Sequence, residues 1–171
     1  MKITILEMPT EKDWIEVKRR ALVTVGKSPV TAPDEEWKMK MLECRHSPVR
    51  RLRFSFLIED VPSYVSVHLT RHKHAEPYVK SQRNDRQQDY DRTKAPQDAP
   101  VSMIWDMNGE EFLTVMNKRL CGQADKATRH LAEEIRDAVI IADPIYAPFL
   151  VPMCEYLGRC PEVFKEKCGR D

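Results

Sequence analysis

Glycine is scarce in this sequence, with only 5 glycines in 171 residues. None of them forms the G-x-G-x-x-G cluster of dinucleotide-binding folds or the G-x-x-x-x-G-K cluster of P-loop proteins. Both clusters bring backbone N–H groups close to phosphate oxygens. A flavin or nucleotide bound by this chain would therefore need side chains to hold its phosphates.

Long apolar runs are also missing, and neither positive nor negative residues are in clear excess. No run approaches the roughly 20 apolar residues of a membrane span, and the first residues turn acidic and polar at once, unlike a secretory signal. The 28 Lys and Arg against 27 Asp and Glu give a net charge of +1. We therefore expect a cytoplasmic protein with no membrane or nucleic-acid partner, although a local basic pocket remains compatible with this balance.

The cysteines number 5, an odd count, which favours free or metal-bound thiols in a reducing compartment. Those near the C-terminus are separated by 5 and 7 residues, a spacing that matches no tight C-x-x-C knuckle. We therefore expect no metal. The alternative is a thiolate set for zinc or an iron–sulfur cluster, drawn from Cys121, Cys154, Cys160 and Cys168.

The pattern of apolar residues predicts a single α+β domain over residues 1–171, with helices outnumbering strands. Alternation predicts strands over residues 2–6 and 52–56. Helical spacing predicts a helix after Thr10, one after Thr31 or Asp34, and one from Pro62 to Lys73, broken at Glu76-Pro77. Two more helices are expected, one capped by Asn108 and one between Gly122 and Asp143-Pro144.

Two segments differ from the rest. Residues 84–100 are polar and contain two prolines, which predicts a long mobile loop of the kind that often carries function. Residues 143–171 form an apolar, proline-interrupted stretch that leads into a cysteine-bearing C-terminal segment. On the helix after Asn108, Glu110 and Glu111 are interpreted as a solvated face.

The densest cationic stretch runs from His68 to His74 and holds three of the 5 histidines. Arg83 and Arg92 follow it. One interpretation is a solvated helix end, where cations favour the C-terminal dipole. The other is an anion site, in which arginines form forked hydrogen bonds to phosphate oxygens and a serine completes the cradle.

A motif in this stretch favours the anion site. Arg71-His72-Lys73, seven residues and then Ser81-Gln82-Arg83 resembles the signature of the flavin-dependent thymidylate synthases: Arg-His-Arg, seven residues, Ser and an Arg two positions on. The resemblance covers residues 1 to about 140. It includes the opening strand, His46-Ser47-Pro48, and the late helix with Asn108 and Arg119.

The resemblance implies a small mixed or antiparallel sheet packed with several helices. It implies an FAD-dependent thymidylate synthase that reductively methylates dUMP to dTMP, with NADPH and methylenetetrahydrofolate as co-substrates. It also implies a homotetramer whose sites draw on several subunits. In such an enzyme no side chain need act as nucleophile, so the protein supplies orientation and electrostatics.

Carried over position by position, the resemblance assigns residues to two groups. The flavin would be held by Ser47, Arg71, His72, Lys73 and Asn108. The nucleotide would be held by His68, Ser81, Gln82, Arg83, Arg92 and Arg119. Of these, His68, Ser81 and Arg119 would take part in catalysis.

The sequence departs from the family pattern at several of these positions. Lys73 replaces an arginine, which keeps the charge but loses the bidentate fork. His68 stands where the family has a nucleotide-contacting Gln, Val79 where it has a Glu, and Thr114 where a second flavin-binding Asn is expected. Changes at His68 and Val79 alter the base pocket. The alternatives are therefore modification of another pyrimidine deoxynucleotide (dCMP, or hydroxymethylation) or an inactive relative that binds nucleotides or nucleic acid.

Overall fold

A computed structural model describes residues 1–28, 31–86 and 90–164 of the chain. Its centre is a four-stranded antiparallel sheet in the order β1-β2-β4-β3. The strands are β1 (Lys2–Glu7), β2 (Arg53–Pro62), β3 (Ala75–Val79) and β4 (Pro100–Asn108). The helices are α1 (Glu11–Val23), α2 (Glu35–Glu43), α3 (Ser63–Thr70), α4 (Gly109–Arg119), α5 (Lys126–Ala142) and α6 (Met153–Leu157), with 3-10 turns at Ser47–Arg51 and Pro144–Tyr146. The predicted α+β class is confirmed.

The core lies on one face of the two central strands. Phe54 of β2 pairs with Met107 of β4, and Phe56 pairs with Trp105. All four side chains are buried, because residues two apart on a strand face the same side. Helix α4 packs on this face through Phe112, whose ring centroid lies 4.1 Å from that of Phe54. The helices that carry the candidate site residues are thus fixed against β2 and β4.

Polar caps define where the helices begin. The Thr10 backbone N–H donates to Asp13 Oδ2 at 3.0 Å, and Asn108 Oδ1 accepts from the Glu111 backbone N–H at 3.0 Å. Both predicted starts are confirmed, and of the two candidates for α2 the cap is Asp34. Such caps satisfy N–H groups that have no partner inside the helix.

Two strands and two helix ends differ from the sequence predictions. Strand β4 was not predicted, although its buried residues alternate along the chain. Strand β3 lies where a simple break was expected. It is an edge strand and can therefore accommodate Pro77. Helix α3 begins at Ser63, after β2 has run through Pro62, and ends at Thr70 rather than at Lys73.

Asn117 fastens the C-terminal segment to α4. It is fully buried, and its side-chain amide donates to the carbonyl oxygens of Phe149 (2.8 Å) and Val151 (2.5 Å). Its oxygen accepts from the guanidinium of Arg45, which also lies 4.4 Å from the centre of the Tyr156 ring. The end of α4 is therefore held by contacts from both the first third and the last quarter of the chain.

Gly109 allows α4 to start directly against the turn that follows α2. Its backbone N–H donates to the Leu52 carbonyl oxygen at 2.9 Å. A Cβ on residue 109 would lie 2.7 Å from the Val49 carbonyl oxygen and 3.1 Å from Leu52 Cβ. Because the nearest atom is backbone, it cannot move aside as a flexible side chain would.

Within the described parts of the chain, none of the helices combines the length and apolar character that a bilayer crossing requires.

We expect Gly109→Ala to lower the free energy of unfolding by about 1–3 kcal/mol, because the new methyl group overpacks this contact. In a helix without the contact, the same change would be neutral or stabilising. Urea denaturation of the two proteins measures the difference. Ile141→Ala, at a well-exposed position of α5, is the control for a change that should cost little. An unchanged or higher stability of Gly109→Ala would contradict the close packing described here.

Candidate active site

The three signature residues lie where the chain leaves α3 and turns into β3. Arg71 caps the C-terminal end of α3, and the His72 backbone N–H donates to the Leu69 carbonyl oxygen at 3.3 Å. Arg71 and Lys73 are exposed on either side of His72, which is only 8% exposed. The turn therefore presents two cations to the surface and directs the imidazole into the protein.

His72 contacts both Arg119 and Glu111, which lie on α4. Arg119 Nε donates to His72 Nε2 at 2.9 Å, so this ring nitrogen is an acceptor and the proton of a neutral ring lies on Nδ1. His72 Nδ1 faces Glu111 Oε1 at 3.7 Å, which is beyond hydrogen-bond distance but close enough for electrostatic attraction. The carboxylate of Glu111 attracts the Nδ1–H of His72, and His72 Nε2 accepts from Arg119. This series of contacts fixes the orientation of the guanidinium.

Burial lowers the pKa of His72 to about 4, and the positive charges of Arg119 and Lys118 add to the effect. The imidazole is therefore neutral at pH 7, as its acceptor role requires. Burial, followed by the charge of Arg71, also lowers the pKa of the Arg119 guanidinium. An anion placed between Arg71 and Arg119 would relieve their repulsion.

Arg119 lines a cavity of about 440 Å³, which we call the Arg119 cavity. A second bond fixes its side chain, since Arg119 Nη2 donates to the His68 carbonyl oxygen at 2.7 Å. The cavity has three cationic side chains and one carboxylate in its lining: Arg71, His72, Lys118, Arg119, Cys121, Gln123, Ala124 and Glu162. This positive excess suits a phosphate or diphosphate group.

A second cavity, of about 370 Å³, is also lined by Arg71, and we call it the His68 cavity. Its lining is less charged: Ser63, Tyr64, Val67, His68, Arg71 and Gln97. Arg71 lines both cavities, so a ligand with a phosphate and a ring could contact both. The structure thus brings together four of the predicted site residues, His68, Arg71, His72 and Arg119.

Asn108 lies in a third cavity, of about 210 Å³. The lining is Arg50, His74, Asn108, Glu110, Glu111 and Thr114. Thr114 accepts a hydrogen bond from Arg45 at 3.0 Å, so the expected asparagine is replaced by a residue that binds a neighbouring arginine. Glu111 links this cavity to His72.

The remaining predicted residues lie elsewhere on the fold. Ser47 is exposed and begins a 3-10 turn, and Lys73 faces solvent. Ser81, Gln82 and Arg83 follow the end of β3, where the Arg83 guanidinium forms a forked pair with Asp85 (2.9 and 2.7 Å). Arg92 is exposed, and its backbone N–H donates to Asn84 Oδ1 at 3.1 Å.

Sequence reasoning missed several residues of the site. Glu111 is not on a solvated face, because it is only 9% exposed and faces His72. Its sequence signal was ambiguous, since a glutamate in the first helical turn is ordinarily explained by the helix dipole. Lys118 and Thr128 were also missed, because they reach the site only through the packing of α4 and α5 against α3. His74 lies in the turn between α3 and β3 and lines the third cavity, a position that the sequence did not reveal.

The cysteines of the described residues are free: Cys44, Cys121, Cys154 and Cys160. In residues 1–28, 31–86 and 90–164, no group of three or more His, Cys, Asp or Glu side chains is arranged to hold a metal ion. Cys168, the fourth member of the alternative thiolate set, lies outside the described residues, as do residues 87–89 of the predicted loop.

Comparison with solved structures identifies the fold. Thymidylate synthase X (ThyX) from Helicobacter pylori, solved with FAD and dUMP, has a TM-score of 0.68 at 15% identity and covers 91% of this chain and 99% of its own. A second structure of that enzyme with the same ligands has a TM-score of 0.64 at 15% identity, covering 81% and 93%. The UMP/dUMP methylase PolB from Streptomyces cacaoi, bound with 5-Br dUMP, has a TM-score of 0.66 at 12% identity, covering 88% and 96%.

No protein-family model matches the chain, and no curated protein does. The chain therefore has the fold of the flavin-dependent thymidylate synthases, as its signature predicted, at a sequence identity that establishes the fold alone.

The lowered pKa of His72 predicts that acid destabilises the ligand-free protein. The folded state has a His72 pKa of about 4 and the ordinary value is 6.5, so the unfolded chain binds more protons between these two values. The stabilisation is therefore fully present above about pH 6.5 and is lost as the pH falls towards 4. We expect this residue to account for up to about 3 kcal/mol of that loss.

Urea denaturation at pH 7 and pH 4.5 tests the prediction. His72→Gln, which keeps an acceptor for Arg119 but cannot titrate, should lose less stability on acidification than the wild-type protein. His74→Gln, at the exposed neighbouring histidine, should behave as the wild type does. Equal acid sensitivity of wild type and His72→Gln would contradict a buried, neutral His72.

Proposed function

We propose that this chain is an FAD-dependent thymidylate synthase, which converts dUMP to dTMP by reductive methylation with methylenetetrahydrofolate and NADPH. The observation that carries the proposal is the pair Arg71, from the signature, and Arg119, from the late helix, at one cavity of a fold whose solved examples bind FAD and dUMP. A nucleoside monophosphate carries nearly two negative charges, and Arg119 together with Lys118 would balance them, which leaves Arg71 for the diphosphate of FAD.

The FAD would be held by Ser47, Arg71, His72, Lys73 and Asn108. The positions of these residues support different kinds of contact. Arg71 and Lys73 are exposed cations suited to the diphosphate. His72 is buried and neutral, and it accepts a hydrogen bond from Arg119. Asn108 Oδ1 is used as the cap of α4, which leaves its N–H groups to donate to the flavin.

The dUMP would be held by His68, Ser81, Gln82, Arg83, Arg92 and Arg119. Arg119 is the best prepared of these, since two acceptors already fix its guanidinium. Arg83 would have to leave Asp85. That pair is exposed, and exposed ion pairs of this kind are worth about 0–1 kcal/mol, so substrate phosphate could displace it.

Bound FAD would supply the hydride chemistry, and the chain itself would supply binding and orientation. Arg119 and Ser81 would fix the phosphate and sugar end of dUMP, and His68 would contact the base. Arg71 stands at the border of the two cavities, where it would set the position of the base relative to the flavin. Holding the reactants in place in this way accounts for a large part of the catalytic power of many enzymes.

We also propose that the protein acts as a cytoplasmic homotetramer built from one domain per chain. The largest cavity named above is about 440 Å³, which suits one ligand of moderate size. Flavin, nucleotide and folate together exceed that space, which supports sites completed by neighbouring subunits.

A second candidate function is a related methylation of another pyrimidine nucleotide. It is favoured by the similarity to a UMP/dUMP methylase and by His68 and Val79 at positions where the family has a glutamine and a glutamate. Product analysis with dUMP, UMP and dCMP as substrates separates the two candidates.

We expect the purified protein to bind FAD and to shift the flavin absorbance between 300 and 550 nm when dUMP is added. Arg71→Gln should weaken FAD binding about tenfold or more, because a charged contact to the diphosphate is lost. Arg19→Gln changes an exposed arginine of α1 that pairs with Glu16 and serves as the matched control. A wild-type protein that neither retains FAD nor changes spectrum with dUMP would contradict the proposed function.

A further inference from the structure

His68 is linked to the N-terminal end of α5 by a short chain of hydrogen bonds. His68 Nδ1 lies 2.9 Å from Thr128 Oγ1, and Thr128 Oγ1 lies 3.2 Å from Asp125 Oδ1. Thr128 is buried, with 1% of its surface exposed. Asp125 is the cap of α5 and also accepts from the backbone N–H groups of Ala127 and Thr128.

The direction of these bonds follows from the single hydroxyl proton of Thr128. Burial raises the pKa of Asp125, but hydrogen bonds from Thr128 and Ala127 outweigh it and leave that pKa lowered. Asp125 is thus an ionised carboxylate, which is acceptor-only and attracts the hydroxyl proton. Thr128 Oγ1 must then accept from His68, so the imidazole proton lies on Nδ1. The reverse arrangement would point an oxygen lone pair of Thr128 at a carboxylate.

In the neutral ring, the other nitrogen of His68, Nε2, is then an acceptor. His68 lines the His68 cavity, and among the described residues Nε2 is not one of the buried nitrogen and oxygen atoms that lack a partner. Its ring stands edge-on to Tyr64, with centroids 6.0 Å apart, and its carbonyl oxygen is held by Arg119. Side chain and backbone of His68 are thus both fixed at the point where the residue lines the cavity.

We propose that Asp125 and Thr128 are positioning residues that hold His68 Nε2 as an acceptor for the ring N–H of a uracil-type base. The inference rests on the proposed function and deepens it. Arg71 lines both the His68 cavity and the Arg119 cavity. A nucleotide with its phosphate near Arg119 would therefore place its base beside His68.

This arrangement selects between pyrimidines. Position N3 of uracil carries a hydrogen that can donate to Nε2, whereas N3 of cytosine is itself an acceptor. A cytosine N3 facing Nε2 would leave two lone pairs opposed and a buried acceptor without a donor, and a site that loses a hydrogen bond in this way discriminates strongly. His68 in place of the family's glutamine thus acts as a reader of the N3 hydrogen, provided that its tautomer is fixed.

The tautomer is tested on the ligand-free protein by 15N NMR, which distinguishes Nδ1–H from Nε2–H in histidine. We expect the Nδ1–H form for His68 in the wild type and in Thr128→Ser, which keeps the hydroxyl. Thr128→Val, which keeps the shape of the side chain but has no acceptor, should shift His68 to a mixture of the two forms. An Nε2–H tautomer in the wild type would overturn the inference whatever the protein binds.

Base selection is tested by calorimetry on the FAD-loaded protein with dUMP, dCMP and N3-methyl-dUMP. We expect the wild type and Thr128→Ser to bind dUMP at least tenfold more tightly than the other two nucleotides, and this preference to fall severalfold in Thr128→Val. An unchanged preference in Thr128→Val, in a protein with wild-type thermal stability, would overturn the role of Thr128 but leave the proposed function intact. Absence of dUMP binding by the wild type would overturn both.

Discussion

The site depends on one interaction, the hydrogen bond from the Arg119 guanidinium to a neutral His72. Arg119 closes the end of α4, and His72 lies in the turn between α3 and β3, so the bond joins elements that are separated by 47 residues in sequence. A second bond from the same guanidinium reaches the carbonyl of His68. Together they hold the end of α3 against α4 and set the positions of Arg71 and Lys73 at the surface.

A neutral partner leaves the charge of the arginine unbalanced. A carboxylate at the position of His72 would bind Arg119 more strongly but would cancel its attraction for an anion. An imidazole accepts one hydrogen bond and keeps the guanidinium free to interact with a phosphate. Glu111 is close enough to orient the imidazole, yet it lies on the far side of the ring from Arg119. The Glu111–His72–Arg119 contacts thus orient the guanidinium of Arg119 without neutralising its charge.

Local signals predicted much of the fold and the centre of the site. Asp34 and Asn108 were identifiable as caps because each side chain accepts from a backbone N–H three residues on, and Thr10 because Asp13, three residues on, accepts from its backbone N–H. The signature at Arg71-His72-Lys73 led to the fold, and the resemblance of the late helix led to Arg119. Strand β4 was not recognised because it lies directly between a polar segment and the cap of α4. The edge strand β3 was not recognised because Pro77 suggests a break in regular structure. Glu111 and Thr128 could not be assigned, since their partners are fixed by the packing of α3 against α4 and α5. The His68–Thr128 contact, for instance, spans 60 residues.

The network around Asn117 has a consequence for the order in which the protein is built. Its amide needs carbonyl groups from residues 149 and 151 and a guanidinium from residue 45, so it cannot be satisfied until residue 151 has been synthesised. Contacts of such long sequence separation form late, after the loop-closure entropy has been met. A ribosome-bound chain would thus hold the sheet and α3 before the end of α4 is secured, and Lys118 and Arg119 would reach their final positions at the cavity only after residue 151 has been made.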